Sequence, residues 1–152
     1  MNWTIEKGRD CHAQTIAQFQ LDMALESEGT VLDGSLILKG VETCMADPHK
    51  GTYYVVKAED GTVAGSLLIT KEWSDWKNCW YWWIQSVYVR PEYRRQGAYA
   101  ALYERMKEEA KADGSPCLRL YVDRGNVRAQ KCYQGLGMQE CHYLMYEETF
   151  ND

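Results

Sequence analysis

Arg94-Arg95-Gln96-Gly97 sets two fixed cations beside a glycine, between the apolar run Val87-Tyr88-Val89 and a long amphipathic stretch that begins at Ala98. The start of a helix carries N–H groups without intrahelical acceptors and a partial positive charge. Glycine at that point lets the backbone come close to a bulky anion. Residues 87–102 therefore read as strand, basic turn and helix, a seat for the pyrophosphate of a phosphate-bearing cofactor. A basic turn ahead of a solvated helix is the plainer alternative. Neither G-x-x-x-x-G-K-[ST] nor G-x-G-x-x-G occurs, which excludes the nucleotide P-loop and the dinucleotide fingerprint.

Arg94-x-x-Gly97-x-Tyr99 resembles the acetyl-CoA signature [RQ]-x-x-G-x-[GA] of the GNAT superfamily of N-acetyltransferases, with Tyr99 where the family has a small residue. Downstream, Leu118-Arg119-Leu120-Tyr121-Val122 and then Asn126 through Tyr133 to Leu136-Gly137-Met138 are similar to the second block of that superfamily, in the same order and at a fitting distance. The resemblance covers residues 50 to 148.

It implies an α/β fold of GNAT type, a mixed central sheet flanked by helices, in which the strand before the phosphate turn splays from the strand after the long helix. Here that pair is Trp82–Val89 and Leu118–Val122. Backbone groups of Val87 and Val89 would bond the pantetheine arm of acetyl-CoA, and the Val87 N–H would meet the carbonyl oxygen. Gln96, Gly97, Ala98 and Tyr99 would turn N–H groups to the pyrophosphate, supported by Arg94 and Arg95. Asn126 would cap its helix and also touch the cofactor. Tyr133 would be the general acid for the leaving thiolate. A helix tyrosine packed in the core is its plainer alternative, because Ala129, Cys132, Tyr133 and Leu136 share one helical face.

An alkylamine has a pKa of about 10.4, so a base or a water chain must take its proton before it attacks. Several members of the superfamily carry a glutamate two residues before the Val87 position; here stands Gln85, whose amide is no base. Gln85 could orient substrate or water. Candidate replacements are Glu26 and Glu28 after the first helix, and Glu72 and Asp75 in an aromatic loop. Each is also readable as a solvated surface carboxylate. Trp73, Trp76, Trp80, Trp82 and Trp83 crowd the same region, as an aromatic wall for a cationic substrate or as core packing and a dimer face. Cys132 has no histidine placed beside it by sequence, so direct attack without a covalent enzyme intermediate is expected.

The positioning elements follow from periodicity and punctuation. Asn2–Lys7 reads as a strand. Asp10 can cap a helix running to about Leu25, and a second helix spans about Asp33 to Met45 before Asp47-Pro48 stops it. Thr52–Ala58 and Thr62–Lys71 form a hairpin around Asp60-Gly61. The loop Glu72–Asn78 leads into a strand over Cys79–Val89, and Gly97–Asp113 is the best helix, with Ala98, Leu102, Met106 and Ala110 as its apolar stripe. Cys117–Val122 reads as a strand, Asn126–Leu136 as a helix and Met138–Glu147 as a last strand.

At 152 residues and 45% hydrophobic composition the chain suits one globular N-acetyltransferase domain over 1–152. A net charge of −5 argues against a general nucleic-acid binder. No apolar run spans a bilayer, and no secretory signal is read at the N-terminus, so a cytoplasmic location is expected. Six cysteines without a C-x-x-C pair, with histidines scattered at 12, 49 and 142, point to free, mostly buried thiols and no metal site. The expected activity is acetyl transfer from acetyl-CoA to a primary amine of a small molecule. A protein or peptide lysine or N-terminal acetyltransferase, and a non-catalytic acyl-CoA-binding regulatory module, are the alternatives. A homodimer is implied by the resemblance alone.

Overall fold

The Asp60-Gly61 turn forms as its chemistry dictates. Gly61 sits at φ 88°, its N–H donates to the Ala58 carbonyl (3.0 Å), and the Thr62 N–H donates to Asp60 Oδ1 (3.0 Å). The turn joins strand β2 (Thr52–Lys57) to β3 (Val63–Ser74) in antiparallel register, and β3 folds back onto β4 (Cys79–Val89). β1 (Thr4–Lys7) pairs antiparallel with β2 at the near edge. Helix α3 (Ala98–Ala112) then crosses over to β5 (Leu118–Arg119), which lies parallel to β4. In this computed structural model the five strands stand in the order β1-β2-β3-β4-β5. Residues 2–150 are described, and the chain divides into two compact units, Met1–Tyr121 and Val122–Asp152.

In the first unit, α1 (Ala13–Glu28) and α2 (Gly34–Ala46) cover one face of the sheet. Their Ile16, Ala17, Val41 and Cys44 form a core with Tyr53 and Val55 of β2. Side chains alternate across a strand. Tyr54 and Val56 therefore face the opposite side, where α3 buries Leu102, Met106 and Ala110. Asp33 caps α2: its Oδ1 accepts from the N–H groups of Ser35 (3.0 Å) and Leu36 (3.4 Å), and the Ser35 hydroxyl bond first, then these two, hold the carboxyl below its usual range. No described helix is long and apolar enough to cross a membrane.

Several boundaries differ from expectation. The first strand begins at Thr4, not Asn2. Asp10 caps no α-helix; Asp10–His12 is a 3-10 turn, and α1 starts at Ala13 and runs three residues past Leu25 to Glu28. Glu72, Trp73 and Ser74 belong to β3 rather than to a loop, because Trp73 pairs edge-on with Trp80 across the ladder (5.0 Å between centroids). β5 holds two residues instead of six. The thiols are not mostly buried either: Cys44 is buried, while Cys11, Cys132 and Cys141 are exposed.

The second unit consists of α4 (Val127–Gly135), capped by Asn126 through an Ala129 N–H to Oδ1 bond of 3.2 Å, followed by residues 138–150 without regular secondary structure. The expected last strand Met138–Glu147 is therefore not formed. Tyr143-Leu144-Met145-Tyr146 supplies β-propensity, but a strand exists only through a ladder partner.

His12 is buried, and its Nδ1 accepts the Arg9 N–H at 3.0 Å. Burial, then Lys57 and Arg9, push its pKa below 6.5 against the opposing pull of Glu6. The neutral ring thus contributes its full stability above about 6.5, and this is lost as pH falls through the folded value. The urea midpoint is expected to drop on acidification through that window, and to drop less in His12→Asn. Equal slopes in the two proteins would remove His12 from the account.

Candidate functional site

β4 is the spine of the site. Its ladder with β3 slips between Ser66 and Leu68, so two β4 residues, Ser86 and Val87, face one on β3, and Ser86 sits at φ 54°. That is a β-bulge, which kinks the strand and frees backbone groups from the ladder. On its other side β4 pairs with β5 only at Trp82 and Trp83. Among the described residues, β4 from Ile84 to Val89 has no strand partner on that side. β5 stops at Arg119, and Val87 and Val89 lie on the stretch of β4 that it leaves without a partner.

Gly65 of β3 makes the bulge fit. A Cβ there would run into the Tyr88 carbonyl oxygen and come within 3.1 Å of Val89 Cα. Both are backbone atoms, so the strand itself would have to move. Sequence reasoning passed over Gly65, although an isolated glycine inside a strand pattern signals close backbone approach. Gly65→Ala is expected to cost about 1–3 kcal/mol in overpacking. Urea melts check it; a wild-type midpoint would mean the bulge does not depend on this residue.

Past Val89 the chain makes a 3-10 turn at Pro91–Tyr93 and then passes through Arg95 at φ 62° and Gly97 at φ 89°. Left-handed residues at such a turn gather N–H groups into an anion-binding concavity. α3 starts at once, and its first ladder bond runs from the Ala101 N–H to the Gly97 carbonyl (3.0 Å). Ala98 is the first residue of α3, where helix geometry gives an amide no intrahelical acceptor. Gln96 is fixed at both ends: its Nε2 donates to the Glu92 carbonyl (2.9 Å), and its own carbonyl accepts from Trp3 Nε1 (3.0 Å).

The arginines part ways. Arg95 is exposed beside the turn. Arg94 is a strut: Nε donates to the Val89 carbonyl (2.9 Å) and Nη2 pairs with Glu26 (2.9 Å). Glu26 also accepts from the Tyr88 hydroxyl (3.1 Å). Burial, with that bond second, pushes the Tyr88 phenol up to about 12, so it stays a donor. Glu26 therefore ties the end of α1 to the turn before α3 across 68 residues of sequence.

The other acceptor-side candidates separate as sharply. Gln85 spends an amide hydrogen on Thr70 Oγ1 (2.8 Å). Glu72 accepts from Trp83 Nε1 (3.0 Å) and from Arg119 (3.4 Å), and Asp75 lies exposed in the β3–β4 turn. Glu28 is different: with Ser86 of the bulge it lines a cavity of about 460 Å³ between α1, α2 and the sheet. A second cavity, about 330 Å³, sits beside the far end of α3 and contains none of the expected site residues. The tryptophans form no single wall. Trp82 is buried and donates to Asp113 (2.8 Å), Trp83 binds Glu72, Trp73 and Trp80 pair with each other, and Trp76 is 92% exposed.

In the second unit, Tyr133 stands in the middle of α4, half-buried, and burial raises its phenol above the ordinary value. Asn126 has its Oδ1 engaged as the helix cap.

A mixed sheet whose fourth and fifth strands part beside a glycine-opened helix is the α/β fold of acetyltransferases. Residues 18–138 match the Acetyltransferase (GNAT) family, and the chain belongs to that family. A crystal structure of a possible acetyltransferase from Clostridium difficile 630 is 38% identical, with a TM-score of 0.92 and 100% of both chains covered. The bovine (Bos taurus) thialysine N-epsilon-acetyltransferase is 36% identical over 78 residues; the match takes in 51% of this chain and spans 45% of that protein's length. AAC(6')-Iy, in complex with the bisubstrate analog CoA-S-monomethyl-acetylneamine, shares the fold at a TM-score of 0.77 and 15% identity, over 99% of this chain and 100% of that one.

Proposed function

We propose that this chain transfers the acetyl group of acetyl-CoA to a primary amine of a small molecule by direct attack. The observation that carries the reading is continuity: the bulged stretch of β4 without a β5 partner runs straight into the left-handed turn and the N-terminus of α3. An extended acyl-pantetheine with a pyrophosphate at its end fits that sequence of a backbone edge followed by an anion seat. The bovine relative's name and the complex of AAC(6')-Iy support the same class of chemistry.

Acetyl-CoA supplies the activated thioester when bound. The chain's part is to hold and orient. Backbone groups of Val87 and Val89 take the arm, and the Val87 N–H offers a hydrogen bond to the thioester carbonyl oxygen. The amides of Gln96, Gly97, Ala98 and Tyr99, with Arg95, hold the diphosphate; Arg94 keeps the turn in shape, and Asn126 secures the start of α4. Alignment and a preorganised donor are the main contributors to rate. Tyr133 holds a proton at Oη for the departing sulfur. Glu28 is the carboxylate on the cavity that Ser86 also lines, and it takes the proton of the incoming ammonium through solvent. Gln85, tied to Thr70, serves to fix β4 against β3.

The test is a panel of primary amines, lysine-bearing peptides included, incubated with acetyl-CoA, with free thiol and acetylated product both measured. Acetylated small amine in step with thiol is the expected result. Product on peptides alone would move the reading to a protein acetyltransferase, and binding without product would make the chain a regulatory module. The homodimer belongs to this proposal, supported by exposed Trp73, Trp76 and Trp80 on one turn of the sheet, and sedimentation checks it.

A further inference from the structure

The cavity between α1 and α2 has a composition that speaks about its ligand. Met23 and Ala24 come from α1, and Leu36, Ile37 and Val41 from α2. Two of its polar members bond within α1: Gln20 donates to the Ile16 carbonyl (3.3 Å), and the Ser27 hydroxyl donates to the Met23 carbonyl (2.7 Å); Ser86 adds a hydroxyl from β4. Tyr53, whose phenol burial pushes up to about 12, is a neutral group there. Glu28 is the one charged residue among those that line it. An apolar sleeve with a single carboxylate suits one ammonium on a hydrocarbon arm; a polyamine would leave further charges facing methyl groups, which is costly.

Gly40 stands on the exposed rim of this cavity. It lies inside α2, where glycine is less favourable than alanine. The backbone there is ordinary helix, so no left-handed angle demands glycine, and a Cβ would meet nothing within 4 Å. Neither conformation nor packing accounts for the missing side chain. What remains is the cavity that Gly40 borders.

We propose that Gly40 is the specificity-determining residue of an apolar acceptor pocket, left without a side chain so that the hydrocarbon arm of a primary monoamine can enter, with Glu28 drawing in its ammonium. This rests on the acetyl-transfer reading for its chemistry, though not for its binding.

The experiment compares wild type, Gly40→Ala and Gly40→Leu on straight-chain amines from propylamine to octylamine. Each buried methylene favours binding by roughly fourfold, so wild-type kcat/KM should climb with chain length. In Gly40→Leu the octylamine-to-propylamine ratio of kcat/KM should fall by about four- to sixteenfold, one to two methylenes' worth of lost room, while the Kd for acetyl-CoA stays put. Gly40→Ala should melt higher than wild type and fall between the two in selectivity, which shows that the helix tolerates the change. A flat chain-length profile in wild type, or a Gly40→Leu loss equal for all amines, overturns the proposal. Calorimetry with octylamine alone separates the two readings. Binding that Gly40→Leu abolishes, without any acetylation, keeps the pocket and ends the acetyl-transfer reading. Acetylation without chain-length dependence does the reverse.

Discussion

If this chain transfers acetyl groups as proposed, Tyr133→Phe is expected to lower kcat by about 100-fold or more while the Kd for acetyl-CoA holds. The substitution keeps the ring and deletes one hydroxyl, so a melt that matches wild type would separate loss of the proton at Oη from loss of structure. An interaction that matters only as the sulfur departs appears in kcat and kcat/KM alike, and leaves ground-state binding alone. The sign of the pH dependence follows from burial. Desolvation disfavours phenolate, so the Tyr133 phenol titrates above its ordinary value of 10. The proton is in place throughout neutral pH, and any alkaline limb that belongs to Tyr133 lies above about 10. That limb should vanish in Tyr133→Phe. Single-turnover rates with calorimetry on the same preparation separate chemistry from binding, and an unchanged rate would end the acid role.

What could be read in the chain beforehand was local. Asp60-Gly61, Asp33, Asn126 and Gly97 each do their work within a few residues, through a left-handed angle or a cap, and each is legible as a residue type at a spacing. What could not be read depends on partners far apart. Glu26 looked like a free surface carboxylate until Arg94 and Tyr88 were seen to claim it. Glu72 looked like a loop residue until its strand pairing and the Trp83 indole placed it. Of four candidate carboxylates, the structure leaves Glu28 on a cavity beside β4, and no spacing along the chain could have singled it out. The bulge at Ser86 left no mark in residue type. Its counterpart Gly65 did, but a lone glycine in an alternating run has several meanings, and the fold selects among them.

Gly97→Val should raise the Kd for acetyl-CoA by at least about tenfold, and for a conformational reason rather than a steric one. The nearest atom to a Cβ at this position is Trp3 Nε1, a comfortable 3.7 Å away, so no clash is in prospect. The angle decides: Gly97 holds φ 89°, a region that a β-branched residue adopts only at a cost of about 1–3 kcal/mol. To escape that cost the turn must relax, and the amides from Gln96 to Tyr99 lose their common aim. Two consequences can be told apart from simple unfolding. The Gln96 carbonyl carries the Trp3 indole, so a relaxed turn releases that ring and changes tryptophan fluorescence, whereas the urea midpoint falls only by the strain itself. Asparagine tolerates left-handed angles better than valine does, so Gly97→Asn should recover much of the binding that Gly97→Val loses. Equal, wild-type binding in all three would show that the diphosphate is held by something other than this turn, and the assignment of residues 96–99 would fall with it.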